Sequence, residues 1–358
     1  MQASNRFAFF DNLKIVMMSV VIAHHVAQAY GPTGGWWPIQ EPTRAAILGP
    51  FFMVNRSFGM SLFFMIAGYF TVMSCDRHGP AALAKSRLSR LGIPLLIFSF
   101  LVMLLQVFIF GPAETGDLGA PWPIDVAHFW FIQHLLIYSL VLALWCRFRP
   151  EASRPAAPPK DPPGYMKVLA FAAGLALATA IIRTWYSIDE WVYIFGYIRV
   201  AFADVPRDLG MFIVGILAYR HQWITRFPSK AGYIWLAVGL ALAGLWYAYE
   251  LWLVNIIVFS DAVWGLLVPL WESLLCVSMC IGLTVLFREK VSSHGALVRG
   301  ISQSTYAAYM LHIFPVLLFQ YLALGLTAGP FLKFLLVTLI SVPASFLLAS
   351  LLRRPLRI

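Results

Sequence analysis

The sequence predicts an all-α, polytopic transmembrane helical bundle of about ten spans, with both termini in the cytoplasm. Three observations carry this. Apolar residues make up 60% of the 358 residues and charged residues 12%, half the roughly 25% of an average soluble domain. The mean hydropathy is +0.77. This composition excludes a soluble globular enzyme, a disordered chain and a disulfide scaffold. Second, the apolar residues come in continuous runs of about 20, the length a helix needs to cross the hydrocarbon. A transmembrane barrel would instead alternate apolar and polar residues with period two. Third, Lys and Arg collect on alternate loops.

The runs are bounded by charge, Pro or Gly. They cover 11–30, 47–74, 91–110, 127–146, 167–186, 205–219, 232–252, 262–287, 301–324 and 331–352. The run over 205–219 is the shortest, and 191–202 is a further helix candidate. An even number of spans puts both termini on one side. That side collects Arg6, Lys14, Arg77, Lys85, Arg87, Arg90, Arg147, Arg149, Arg154, Lys160, Lys167, Arg220, Arg226, Lys230, Arg288, Lys290, Arg299, Arg353, Arg354 and Arg357. The other side holds Arg44, Arg56, Arg183, Arg199, Arg207 and Lys333. The positive-inside rule makes the crowded side cytoplasmic. The net charge of +10 is thereby a topology signal, and no nucleic-acid partner is expected.

The stretch 150–164 is rich in proline and reads as a cytoplasmic linker between two halves of one integral-membrane domain, 1–358. No internal repeat, Gly-rich phosphate loop or soluble domain is evident. The first apolar run carries two histidines and no small-residue cleavage site, so it reads as a span and not as a signal peptide. Cys75, Cys146, Cys276 and Cys280 are scattered, and none lies in a clear outside loop. Cys276 and Cys280 share a helix face, where packing is the simpler reading. A metal site would need further ligands, and none is expected.

Ionisable groups in the hydrocarbon are costly, so each is a functional candidate. The first span carries Asp11, Lys14, His24 and His25. Lys14 and His25 are eleven residues apart, about three turns, and so share a face, with Asp11 about 40° from the same line. His24 turns away. His25 lies about 16 Å beyond Lys14 along the axis, near the bilayer middle. It serves either chemistry or structural hydrogen bonding. In Lys85-Ser-Arg87-Leu-Ser-Arg90-Leu-Gly-Ile-Pro94, Arg87 and Arg90 stand three apart at a cytoplasmic mouth. Paired guanidinium groups suit phosphate oxygens, and they also suit a topology anchor.

The fourth run opens with His128-Phe-Trp130-Phe-Ile-Gln133-His134. This is either an interfacial aromatic belt with interhelical hydrogen bonds or part of a substrate site. Glu272, in the eighth run, has no charged neighbour in sequence. It must be protonated or meet a cation from another helix. In Ser304-Thr-Tyr306-Ala-Ala-Tyr309-Met-Leu-His312, Tyr309 and His312 share a face. Arg207 and Asp208 open the sixth run and are expected to pair with each other.

Together, and in this order, these features resemble membrane acyltransferase family 3, which includes O-antigen acetylases and a succinyltransferase of periplasmic glucans. Lys14 and His25 fit the family's first-helix signature, a basic residue and a histidine separated by ten residues. Arg87 and Arg90 fit its cytoplasmic Arg-x-x-Arg, with the usual Pro following. Phe63-Phe-Met-Ile-Ala-Gly68-Tyr69-Phe and the segments around Trp130 and 304–312 resemble further family blocks. The chain departs in having Lys14 where Arg is common, and in lacking the fused hydrolase-like domain of some members. The compact form and the Asp11-Asn-Leu-Lys14 opening are nearer to the glucan-succinyltransferase branch.

The resemblance implies transfer of an acetyl or succinyl group from cytoplasmic acyl-CoA to a hydroxyl of an outer-facing glycan or small molecule, in the inner membrane. Acyl-CoA is then the co-substrate, held by Arg87, Arg90 and Lys14. His25 acts as general base or as an acyl carrier. Asp11 pairs Lys14, and Glu272 orients the acceptor or stabilises a cationic His25. Trp130, Gln133, Tyr309 and His312 contact substrate or the oxyanion. Two other classes share the hydropathy profile. A transporter or flippase predicts repeats with broken helices in matching positions, and a receptor predicts a sensing loop or domain.

Overall fold

A computed structural model describes residues 7–32, 37–110, 126–149, 159–293 and 295–353. In chain order, α1 spans Ala8–Ala27 and α2 Leu48–His78. α3 (Pro80–Arg87) passes through a π-helical turn, Leu88–Gly92, into α4 (Ile93–Phe110). α5 (Trp130–Phe148) and α6 (Tyr165–Ile182) precede a hairpin of β1 (Val192–Ile194) and β2 (Ile198–Val200). Then come α7 (Val205–Arg220), α8 (Trp223–Arg226) and α9 (Ser229–Ala248), which ends in a second π turn, Tyr249–Leu253. α10 (Asp261–Lys290), α11 (Ala296–Ser302), α12 (Thr305–Leu311), α13 (Ile313–Leu322) and α14 (Pro330–Leu352) complete the fold.

Eight helical stretches among the described residues are long and apolar enough to cross a membrane. They are α1, α2, Pro80–Leu104, α5, α6, Ser229–Leu253, α10 and α14. α12 and α13 qualify together, bent by 52°. The run over 205–219 folds as α7, whose 16 residues span about 24 Å, short of the roughly 30 Å hydrocarbon core. Large apolar side chains such as Leu96, Ile97 and Phe100 on α4 are more than half exposed. Water would not tolerate so wide an apolar surface, whereas lipid chains solvate it. The chain is a multi-pass membrane protein.

The stretch 191–202 is not a helix. Val192, Tyr193, Ile194, Ile198 and Val200 are residue types that favour a pleated strand, and Tyr193 pairs with Arg199 across the hairpin. Phe195, Gly196 and Tyr197 join the paired Ile194 and Ile198, and Phe195 and Gly196 lie at positive φ, as a turn whose twist matches the strands requires. Of the Pro-rich linker, 150–158 lie outside the described residues. Beyond it, the exposed Arg226 donates to the carbonyl of Pro159 at 3.0 Å and to the Asp161 carboxylate at 2.7 Å. Arg6, Arg154, Arg354 and Arg357 of the charge count also lie outside the described residues.

The chain divides into two compact units. The first comprises Met1–Gly59, Ser229–Phe259 and Ile281–Ile358. Here α1 packs against α11, α12, α13 and α14, burying Phe10, Leu13, Met17 and Val21 at helical spacing. The Asn12 amide ties the start of α1 to the carbonyls of Val291 and Ser293, at 2.6 and 3.1 Å. A buried Lys333–Glu41 ion pair of 2.7 Å ties the loop after α1 to α14.

The second unit comprises Met60–Pro228 and Ser260–Cys280. α3 packs on α5 around a small core of Cys75, Leu83, Ala143 and Cys146, and α6 packs on α7. α2 and α7 cross on glycine. A Cβ on Gly68 would lie 2.1 Å from the carbonyl oxygen of Phe212, and one on Gly215 would lie 2.0 Å from that of Met65.

Candidate active site

In the first unit, α1 presents the expected polar stripe. Lys14 and Asp11 form a 2.8 Å salt bridge, both partly exposed. His25 is in the last turn of the same helix. Its Nδ1 lies 2.9 Å from the carbonyl of Val21 and 3.3 Å from Nε2 of His312. The two rings meet edge to face, 4.8 Å between centroids. His24 turns aside, and its ring packs on Phe52.

His312 reaches this place because its helix is broken. The run over 301–324 is not one rod: α12 ends at Leu311 and α13 starts at Ile313, with His312 between them. Pro315 has no N–H to bond the carbonyl of Leu311, so the helix cannot continue regularly there. At the break, Nδ1 of His312 lies 2.8 Å from the carbonyl of Tyr309. Tyr309 is buried on the same turn, with its ring centroid 5.9 Å from that of His312.

Two residues missed in the sequence complete the cluster. The Gln320 amide donates to the carbonyls of His25 and Val26, at 3.2 and 3.0 Å, and accepts from the Trp37 indole at 2.8 Å. It therefore adds a side-chain donor to carbonyls at the C-terminal end of α1, whose backbone bonds from Gln28 and Ala29 are long, at 3.3 Å. The Trp37 ring stands 5.9 Å from His25. A lone Gln inside the apolar run of α13 was the available signal, since a buried amide needs partners.

The second unit holds the remaining candidates. Glu272 is fully buried and accepts from two guanidinium groups on one oxygen: Arg183 at 2.6 Å, and Arg207. Arg207, itself 1% exposed, also pairs with Asp204. The expected Arg207–Asp208 pair gives way to this arrangement. Asp208 instead accepts from the Ser61 hydroxyl at 2.7 Å. One turn separates Asp204 from Arg207, which lets that pair form on one helix face, whereas adjacent residues point apart.

Arg87 and Arg90 differ. Arg87 is partly buried and donates to Thr71 at 3.1 Å, while Arg90 is exposed. Arg90 lies in the π turn just before Pro94. That proline lacks the N–H that would bond the carbonyl of Arg90, and the wider turn absorbs the loss. Gln133 spends both ends of its amide on the hairpin. Its oxygen accepts from the backbone N–H of Arg199 at 2.9 Å, and its nitrogen donates to the carbonyl of Tyr197 at 3.0 Å. His134 donates to the carbonyl of Arg199 at 3.0 Å. Trp130 stands beside Trp191, 5.5 Å between centroids, and the Arg199 guanidinium lies 4.4 Å above the Trp191 ring. Cys276 and Cys280 are buried free thiols.

An apolar helical membrane domain with half-buried imidazoles on its opening helix and arginines beside a helix break defines a class, that of polytopic membrane proteins with ionisable groups in their spans. The comparison with known families makes it specific. The acyltransferase-domain model of acyltransferase family 3 matches residues 7–350, and the chain belongs to that family. Similar proteins are the glucans biosynthesis protein C of Salmonella paratyphi A, of Salmonella agona and of Salmonella heidelberg. Each is 25% identical over 228 residues, 60% of this chain and 58% of the relative. The chain thus spans less than two thirds of the length of these curated relatives. No solved structure matches.

Proposed function

We propose that this protein transfers an acetyl or succinyl group from acyl-CoA, on the cytoplasmic side of the inner membrane, to a hydroxyl of an outer-facing glycan. His25 is the general base. The observation that carries the reading is the held imidazole: His25 is fixed at Nδ1 on the helix that carries the Lys14–Asp11 pair. Family membership supports acyl transfer, and the name of the relatives supports a glucan as acceptor. Arg87, Arg90 and Lys14 are the cations we assign to the CoA phosphates, because guanidinium and ammonium groups suit phosphate oxygens.

Chemically, the acceptor hydroxyl gives its proton to Nε2 of His25 as its oxygen attacks the thioester carbon. The C–O bond forms, the C–S bond breaks, and the proton passes from Nε2 to the departing thiolate. A base of this kind contributes about 10²- to 10⁴-fold. The test uses inverted membrane vesicles, with a neutral glucan in the lumen and radiolabelled acetyl-CoA or succinyl-CoA outside. Label should move to the glucan, and His25→Ala should lower the rate at least about 100-fold while the protein still inserts. Full transfer by the His25→Ala protein would overturn the mechanism. Glucan movement without labelling would point to a transporter.

A further inference from the structure

We infer that His312 is the positioning residue that sets the tautomer of His25 and shares its charge during transfer. The inference rests on the reading of His25 as general base and adds to it a second imidazole with a defined job. A carbonyl oxygen can only accept, so the 2.8 Å contact between Nδ1 of His312 and Tyr309 puts the proton on that nitrogen. Neutral His312 then carries its lone pair on Nε2, the atom 3.3 Å from Nδ1 of His25. The carbonyl of Val21 also faces Nδ1 of His25, at 2.9 Å. Two acceptors converge on one nitrogen, so that nitrogen carries the proton, and Nε2 of His25 is left with the lone pair. Which ring nitrogen is basic is set by the hydrogen bond the other one makes.

This assigns His312 the work that a carboxylate does in a nucleophile–base–orienter triad, done here by a neutral ring with no exposure. A buried carboxylate would need a counter-charge before the reaction begins. A second imidazole needs none, and it accepts a stronger hydrogen bond once His25 becomes cationic. When Nε2 of His25 takes the hydroxyl proton, the Nδ1–H can lean toward Nε2 of His312, whose own Nδ1–H is anchored on Tyr309. The proton then returns along the same path as the thiolate leaves. His312 is therefore a partner of the base and not a donor to the oxyanion.

Two amide substitutions separate its contacts. The longer amide of H312Q puts an oxygen where Nε2 stood and can accept from His25. The shorter amide of H312N can replace only the Nδ1 contact to Tyr309. H312L makes neither. In the vesicle assay, H312Q should keep transfer within about 10-fold of wild type, while H312N and H312L should lose about 100-fold in kcat with KM for acyl-CoA unchanged. H312N keeps the test sound should H312L fail to fold, as judged by thermal unfolding in detergent. A folded H312N with wild-type kcat would overturn the inference, as would a folded H312Q no better than H312N. His25→Ala, assayed in parallel, separates the two ideas. An active His25→Ala protein refutes the base itself, whereas an inactive one beside a wild-type H312N refutes only the role of His312.

Discussion

Glu272 shows how a residue conspicuous in the sequence acquires its meaning from its partners. A carboxylate with no exposure inside a helical membrane protein has to be neutralised, and Arg183 and Arg207 do this from the ends of two other helices. Removing its charge would leave the buried Arg207 and the largely buried Arg183 without their shared counter-charge. Breaking one partner of such a cluster costs about 3–5 kcal/mol. E272Q should therefore lower the thermal unfolding midpoint in detergent, with a smaller effect for E272D. If E272Q unfolded like the wild type yet lost transfer, the carboxylate would serve chemistry and not cohesion. Arg87 and Arg90 make a second contrast. Arg87 is held by Thr71 and Arg90 is exposed, so R90A should raise KM for acyl-CoA with little change in unfolding, while R87A should change both. These candidates were legible because charge inside an apolar run is conspicuous. Arg183 was read only as a topology marker, because span ends carry arginine for that purpose anyway, and Arg207 was assigned to its neighbour Asp208. Their partner lies 65 or more residues away in the chain, beyond any local spacing rule.

At the level of elements, glycine and proline decide where helices approach and where they break. The α2–α7 crossing has room for hydrogen alone at Gly68 and Gly215, and the opposing atoms are backbone. They cannot rotate away as a side-chain tip would. G215L should prevent the crossing and reduce the yield of folded protein on size-exclusion chromatography. By contrast, a Cβ at Gly244 in the middle of α9 meets nothing within 4 Å. G244A should be neutral or stabilise by about 0.5–1 kcal/mol through helix propensity. The helices themselves were readable from hydropathy, because each backbone polar group in lipid must be satisfied within its own segment. The hairpin over 191–202 was misread as a helix candidate, since short apolar runs of Val, Ile and Tyr fit either state and only Gly196 distinguished them. The break at His312 was not foreseen, though Pro315 stood three residues beyond it as its local cause. P315A restores an N–H that could bond Leu311. It should straighten the α12–α13 bend and slow transfer by drawing His312 away from His25, a loss that H312N should not deepen further.

For the whole molecule, the reading depends on which face of the membrane each loop occupies, because the proposed transfer runs from cytoplasmic acyl-CoA to an outward acceptor. The distribution of Lys and Arg over alternate loops predicts an orientation from sequence alone, because the rule depends on charge near span ends and not on tertiary packing. Packing within each unit was not legible, since pairing of distant helices leaves no periodic trace along the chain. Orientation is testable across one helix. Lys160 precedes α6 and Ser187 follows it, and both are exposed. The four native cysteines are buried and should give little background with a membrane-impermeant maleimide. In intact spheroplasts expressing the chain, S187C should label at once, and K160C only after the membrane is permeabilised. The opposite pattern would place the arginine-rich loops outside. The cations assigned to CoA would then face away from their substrate, and transfer from cytoplasmic acyl-CoA would lose its physical basis even if His25 proved essential.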